Sequence, residues 1–153
     1  MPNYCTNIIK LIYHEDPQMI RRLSKALNEE RFLDEFLPCP EDVDCRKNYW
    51  GTACDPYDIS IQHTSKYAMQ FSFTTSWTPP LEAYLSLKEL GFKINAMFAE
   101  RGGNFCGYWI DGKETVFYEA RKYILDTTQE FYFYLYDTVA EEQEDEDDDT
   151  CET

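Results

Sequence analysis

Apolar and polar side chains alternate through residues 3–13, with Cys5, Ile9, Leu11 and Tyr13 on one side and Tyr4, Thr6, Ile8 and Ile12 on the other. Both sides are fairly apolar, which predicts an interior strand. The period then changes. Asp16 is placed as an N-cap with Pro17 at the first helical position, where its missing N–H costs nothing. Met19, Ile20, Leu23, Ala26 and Leu27 form one stripe of a helix that Asn28 can end. Residues 29–57, which include Pro38 and Pro40, keep no period and predict a long connection. Connections of that length inside a small domain tend to be functional or flexible.

Alternation returns at Ile59, Ile61 and His63. After Thr64-Ser65-Lys66 it resumes at Tyr67, Met69, Phe71, Phe73 and Thr75, predicting a hairpin with one dry face. Thr78-Pro79-Pro80 reads as a helix entry capped by Thr78. Leu81, Tyr84, Leu85, Leu87 and Leu90 follow, up to a left-handed Gly91. Phe92, Ile94, Ala96 and Phe98 predict a further strand. The order strand, helix, strand, strand, helix, strand is the split βαβ plan of an α+β, ferredoxin-like sheet (βαββαβ) with helices on one face. Asp111-Gly112 joins residues 105–110 to 113–120 as an added C-terminal hairpin. In residues 126–140, helix-start chemistry at Asp126-Thr127-Thr128-Gln129-Glu130 meets the strand-favouring run Phe131-Tyr132-Phe133-Tyr134-Leu135-Tyr136. A helix is the expectation there.

Charge changes this picture mostly at one end. The 153 residues carry a formal net charge of −15. Residues 141–153 hold Glu141, Glu142, Glu144, Asp145, Glu146, Asp147, Asp148, Asp149 and Glu152 with no base, so the remainder stands at −6. Such a run repels itself and has little to bury, which predicts a disordered acidic tail after a single domain spanning 1–140. The basic groupings, Arg21-Arg22 with Lys25, Arg46-Lys47 and Arg121-Lys122, are too short to track a phosphate backbone, so direct nucleic-acid binding is not expected. No stretch reaches the roughly 18–20 apolar residues of a membrane span, and the first residues lack a signal-peptide layout. A cytoplasmic location in the host cell is the expectation. Cys5, Cys39, Cys45, Cys54, Cys106 and Cys151 form no CxxC pair, and the gaps among Cys39, Cys45, Cys54 and His63 match no familiar zinc spacing. No metal and no cofactor are expected.

Five short segments stand in order along the chain: Asn3-Tyr4-Cys5-Thr6-Asn7, Leu37-Pro38-Cys39-Pro40, Tyr49-Trp50-Gly51-Thr52-Ala53-Cys54-Asp55, Phe73-Thr74-Thr75-Ser76-Trp77-Thr78-Pro79-Pro80 and Glu100-Arg101-Gly102-Gly103-Asn104-Phe105-Cys106-Gly107. Their order and spacing over about residues 1–115 resemble the YubB-type ferredoxin-like family of phage and plasmid proteins. That family has Asn-Trp-Cys-x-Asn, Trp-Gly-Thr-Lys-Trp-Asp, Thr-Ala-Trp-Ser-Pro-Pro and Glu-x-Gly-x-x-Phe-x-Gly segments. Here Tyr4 replaces the first Trp, Ala53 and Cys54 replace the Lys-Trp pair, and Ser76 and Thr78 fall at an Ala and a Ser. The resemblance implies the fold and carriage on a mobile element, and no reaction.

The chemistry to be placed is sparse. His14 and His63 pair with no Cys or Ser in any recognised spacing, and His63 reads as a partly buried core residue. No phosphate-loop, HExxH or GxSxG motif occurs, so an enzyme is not the favoured reading and no catalytic residue is assigned. The leading expectation is a phage- or plasmid-borne interaction protein. Its acidic groups, Glu141, Glu142, Glu144, Asp145, Glu146, Asp147, Asp148 and Asp149 among them, would occupy a basic site on a host protein, and inhibition of a nucleic-acid-dependent defence system is one use of such mimicry. The alternative is a small-molecule or nucleotide pocket between the Trp50 and Trp77 segments, drawing on Trp50, Thr52, Asp55, Thr75, Ser76, Trp77 and Glu100. A third reading is self-association through the aromatic strands. For each of these residues a structural role competes: a Trp at a strand-to-helix corner usually caps the core.

Overall fold

The computed structural model describes residues 3–39, 43–100 and 105–118. Six strands and four helices follow in the order β1 (Tyr4–Ile12), α1 (Gln18–Asn28), α2 (Phe32–Phe36), α3 (Val43–Tyr49), β2 (Tyr57–Thr64), β3 (Ala68–Ser76), α4 (Leu81–Glu89), β4 (Lys93–Glu100), β5 (Phe105–Ile110) and β6 (Lys113–Tyr118). The strands form one sheet in the order β2-β3-β1-β4-β5-β6, and every neighbouring pair is antiparallel.

That is a correction to the expected ferredoxin-like split βαβ sheet with helices on one face and an added hairpin. The molecule is a strand-rich, six-stranded antiparallel sheet with four short helices, and it does not present a clear βαβ split. Two causes are visible in the residues. The 105–118 hairpin is not an appendage, because β5 pairs with β4 from Asn95↔Ile110 to Glu100↔Phe105 and continues the same sheet. The 29–57 stretch is not a plain connection, because it folds into α2 and α3. Alpha2 is five residues long, too short for a period to show, and outside contacts fix it. The Asp55 carboxylate accepts hydrogen bonds from the Leu33 and Asp34 N–H groups at 2.8 and 2.9 Å, while Arg22 of α1 and Arg31 bind Glu35 at 2.7 and 2.9 Å.

The core lies between β1, β3, β4 and β5 and the apolar sides of α1, α2 and α4. Ile9, Leu11, Phe71, Phe73, Ile94, Ala96 and Trp109 from the sheet meet Ile20, Leu23, Leu27, Phe32, Leu33, Tyr84 and Leu87. Phe32 is its hub, edge-on to Phe71 at 5.4 Å and to Phe73 at 6.2 Å. On the other face of the sheet Lys10, Ile12, Ala68 and Asn95 are buried as well.

Local details depart from the sequence reading in three places. Helix α1 starts at Gln18 with Pro17 in the capping position, and Asp16 reaches past it to accept the Gln18 N–H at 2.9 Å. Thr78 does not cap α4; its hydroxyl donates to the Gly51 carbonyl at 2.7 Å, and Pro80 holds the capping position. His63 is exposed, because the register shifts between Ile61 and His63, so that Ile61 opposes Phe71 and His63 opposes Gln70. The expected helix in 126–140 and the expected tail at 141–153 lie outside the described residues.

Candidate functional site

Antiparallel register gathers polar side chains at one end of the sheet. Thr75 of β3 and Glu100 of β4 both oppose Cys5 of β1. All three are buried, as are the neighbouring Asn7 and Tyr84. The Asn7 amide donates to the Thr75 hydroxyl at 3.0 Å and to the Cys5 carbonyl at 3.1 Å, and the Thr75 hydroxyl in turn donates to the Thr78 carbonyl at 2.7 Å. Burial pushes the Cys5 thiol up to about 12, with the Glu100 charge acting the same way and a hydrogen bond to Thr75 opposing it. The thiol is therefore protonated and unreactive at neutral pH. Burial also carries the Tyr84 phenol well above its ordinary value. This network ties the ends of β1, β3 and β4 together.

On this platform stands the loop between β3 and α4. The Thr78 N–H donates to the Ser76 carbonyl at 2.8 Å, which closes a γ-turn around Trp77. Trp77 is held there at φ 71°, a left-handed value that costs a non-glycine residue about 1–3 kcal/mol. Bonds from both sides impose it: the Trp77 N–H donates to the Asn3 carbonyl at 2.8 Å, and Thr75 and Thr78 each make the hydroxyl bonds described above. The strained residue is 50% exposed, and Tyr4, whose register partner is Ser76, is 55% exposed beside it.

The other tryptophan does the opposite. Trp50 is 2% exposed, its indole N–H donates to the Leu37 carbonyl at 2.8 Å, and its carbonyl accepts the Ala83 N–H of α4 at 3.2 Å. Gly51, at φ 81°, follows; a Cβ there would lie 3.2 Å from the Glu82 backbone nitrogen, so the 50–52 turn packs tightly on the start of α4. Thr52 is buried beside it, with no hydrogen-bond partner for its hydroxyl among the described residues.

Of the seven residues singled out for a ligand, the fold thus brings Thr75, Ser76, Trp77 and Glu100 to the same end of the sheet, and the Thr78 bond ties the Trp50-Gly51-Thr52 turn to them. Asp55 is spent on α2, and burial raises its carboxyl above the ordinary value despite the two N–H bonds. The acidic candidates 141–149 lie outside the described residues.

A groove absent from the sequence reading opens next to Trp77. It has a volume of about 490 Å³ and runs from Thr78 and Pro79 between α4 and the β5-β6 hairpin. Phe98, Phe105 and Val116 supply apolar lining, and Glu82, Glu114 and Lys47 its charges. Gly107 packs against one of the lining rings: a Cβ there would fall 2.0 Å from the Thr115 carbonyl oxygen and 2.9 Å from the Phe98 ring. The register rows Phe98↔Gly107↔Val116 and Glu100↔Phe105↔Tyr118 were accessible from sequence only once the two hairpin partners were in one sheet.

Among the described residues no group of His, Cys, Asp or Glu is arranged to hold a metal ion, and no helix is long and apolar enough to cross a membrane. Compared with family models, with curated proteins and with solved structures, the chain matches none of them, and the likeness to YubB-type proteins rests on its five short segments alone.

Proposed function

We propose that this chain is a non-enzymatic interaction protein, carried by a phage or plasmid, that presents an acidic and aromatic surface to a basic site on a host protein. The observation that carries this reading is Trp77. A purely structural γ-turn would be served by glycine at no conformational cost, yet the fold commits the Asn3 carbonyl, as acceptor of the Trp77 N–H, and the hydroxyl bonds of Thr75 and Thr78 to holding a half-exposed tryptophan there. Strain combined with exposure is the signature of a residue kept for contact, and Trp and Tyr dominate binding hot spots. Net charge sets the sign of the partner: a surface at −15 draws Lys and Arg surfaces, and does so faster at low salt. A basic site that evolved for phosphate is such a surface, and blocking a nucleic-acid-dependent defence system is the use the reading favours.

The test is affinity capture from host lysate at low and moderate salt, with the full chain and with a full-length variant whose acids from Glu141 to Asp149 are changed to Gln or Asn. The expected catch is a protein with a nucleic-acid-binding surface, retained at low salt and weakened by salt and by neutralisation. Capture indifferent to both removes the electrostatic part of the proposal.

A further inference from the structure

The groove beside Trp77 goes one step beyond that reading, and rests on it, by specifying what the partner inserts. We infer that the groove takes an arginine-bearing segment of the protein partner. Its lining is flat and apolar at Phe98, Phe105 and Val116, with Phe98 and Phe105 edge to face at 6.2 Å. Among the described residues its charges are two carboxylates, Glu82 on the α4 wall and Glu114 on the β6 wall, and the ammonium of Lys47.

Among the described residues the balance of donors disfavours the opposite occupant. A phosphate entering beside the start of α4 would look for open backbone N–H groups. The Leu81, Ala83 and Tyr84 N–H groups are already bonded to the Pro79, Trp50 and Pro80 carbonyls, and the Glu82 N–H belongs to a residue that carries a carboxylate of its own. An anion there would meet one lysine and two carboxylates. A guanidinium meets what it needs: carboxylates that accept its paired N–H groups, and aromatic faces on which its plane stacks. Rings that line the groove are available for this, since Phe105 is partly exposed and Tyr118 is 74% exposed. An ammonium on the same site gains the charge term without the stacking, so arginine is preferred to lysine.

The experiment is an NMR titration of the full chain with the peptide acetyl-Leu-Arg-Leu-Arg-amide, with lysine and citrulline versions of it, and with adenosine monophosphate. Amide shifts are expected at Glu82, Phe105, Gly107 and Val116, strongest for the arginine peptide and absent for citrulline. In the Glu82→Gln/Glu114→Gln double variant, both positions being exposed, binding is expected to weaken about fivefold or more. Shifts that miss the groove, equal binding by the double variant, or tighter binding of the nucleotide each overturn the inference. Lysate capture with the same variant separates the two levels. A basic partner still captured in a salt- and Trp77-dependent way, with no peptide in the groove, ends the groove assignment alone. Failure of the wild-type chain itself to capture any basic partner ends the parent reading, while the titration still decides the groove.

Discussion

Trp77 is the residue at which sequence rules and structure disagree most usefully. Its positive φ works against stability and its exposure leaves much of the ring in water, so Trp77→Gly should relieve about 1–3 kcal/mol of strain against about 0.4–1 kcal/mol of added chain entropy and some lost ring contact. Denaturant titration should therefore find stability unchanged or slightly raised, an outcome opposite to that of a core tryptophan. Trp50 supplies the contrast, being buried and bonded through both indole and carbonyl. Asp55→Ala should cost about 1–2 kcal/mol, because the first N–H groups of α2 lose their only side-chain acceptor; thermal unfolding checks this. Cys5, with its thiol at about 12 and no exposure, should resist a thiol reagent in the native state at mildly alkaline pH while the partly exposed Cys39 and Cys54 react. Rapid modification of Cys5 would mean that the strand end opens.

At the scale of elements, alternation made the strands legible. Beta5 was read at its observed limits of 105–110, and β2, β3 and β4 within a residue or two, because period-two patterning survives in any strand with a buried side. What was not legible has a physical reason in each case. Alpha2 and α3 span five and seven residues, less than two turns, so side chains far away in sequence decide them: Asp55 and Arg22 for α2, and the Trp50 indole with the Leu37 carbonyl near α3. His63 follows the alternation up to a bulge that no local rule announces. Gly107, which packs against the Phe98 ring of the groove lining, reads as a sequence symbol only as a weak strand residue. Gly107→Ala should force the β5-β6 pair apart or displace Phe98, costing about 1–3 kcal/mol or more and closing the groove; unfolding midpoints and the arginine titration report on each. The α1-α2 join should answer to pH. The hydrogen bond from Arg22 holds the Glu35 carboxyl below its ordinary value of 4.5. A lowered folded value means the contribution is present above 4.5 and is lost as pH falls through the folded value. The stability gap between the wild type and Glu35→Gln should thus be widest above 4.5 and close in acid, with urea midpoints across pH as the measure.

For the whole molecule, charge and topology act on different things. The sheet order, with β1 between β3 and β4, is what puts Asn3, Cys5, Thr75 and Glu100 at one end and so builds the seat of Trp77. The charge of −15 does nothing for that seat; it selects which partners approach it. On the proposed reading, four of the seven residues marked for a ligand converge because they support a contact surface at Trp77. The most direct test of that claim is side-by-side capture from host lysate by the wild type and by Trp77→Gly, with the melting temperature of both chains recorded. The account predicts a melting temperature for the variant equal to or slightly above that of the wild type, and a basic partner held by the wild type but lost, by about tenfold or more, from the variant. The same partner bound equally by both chains would contradict it.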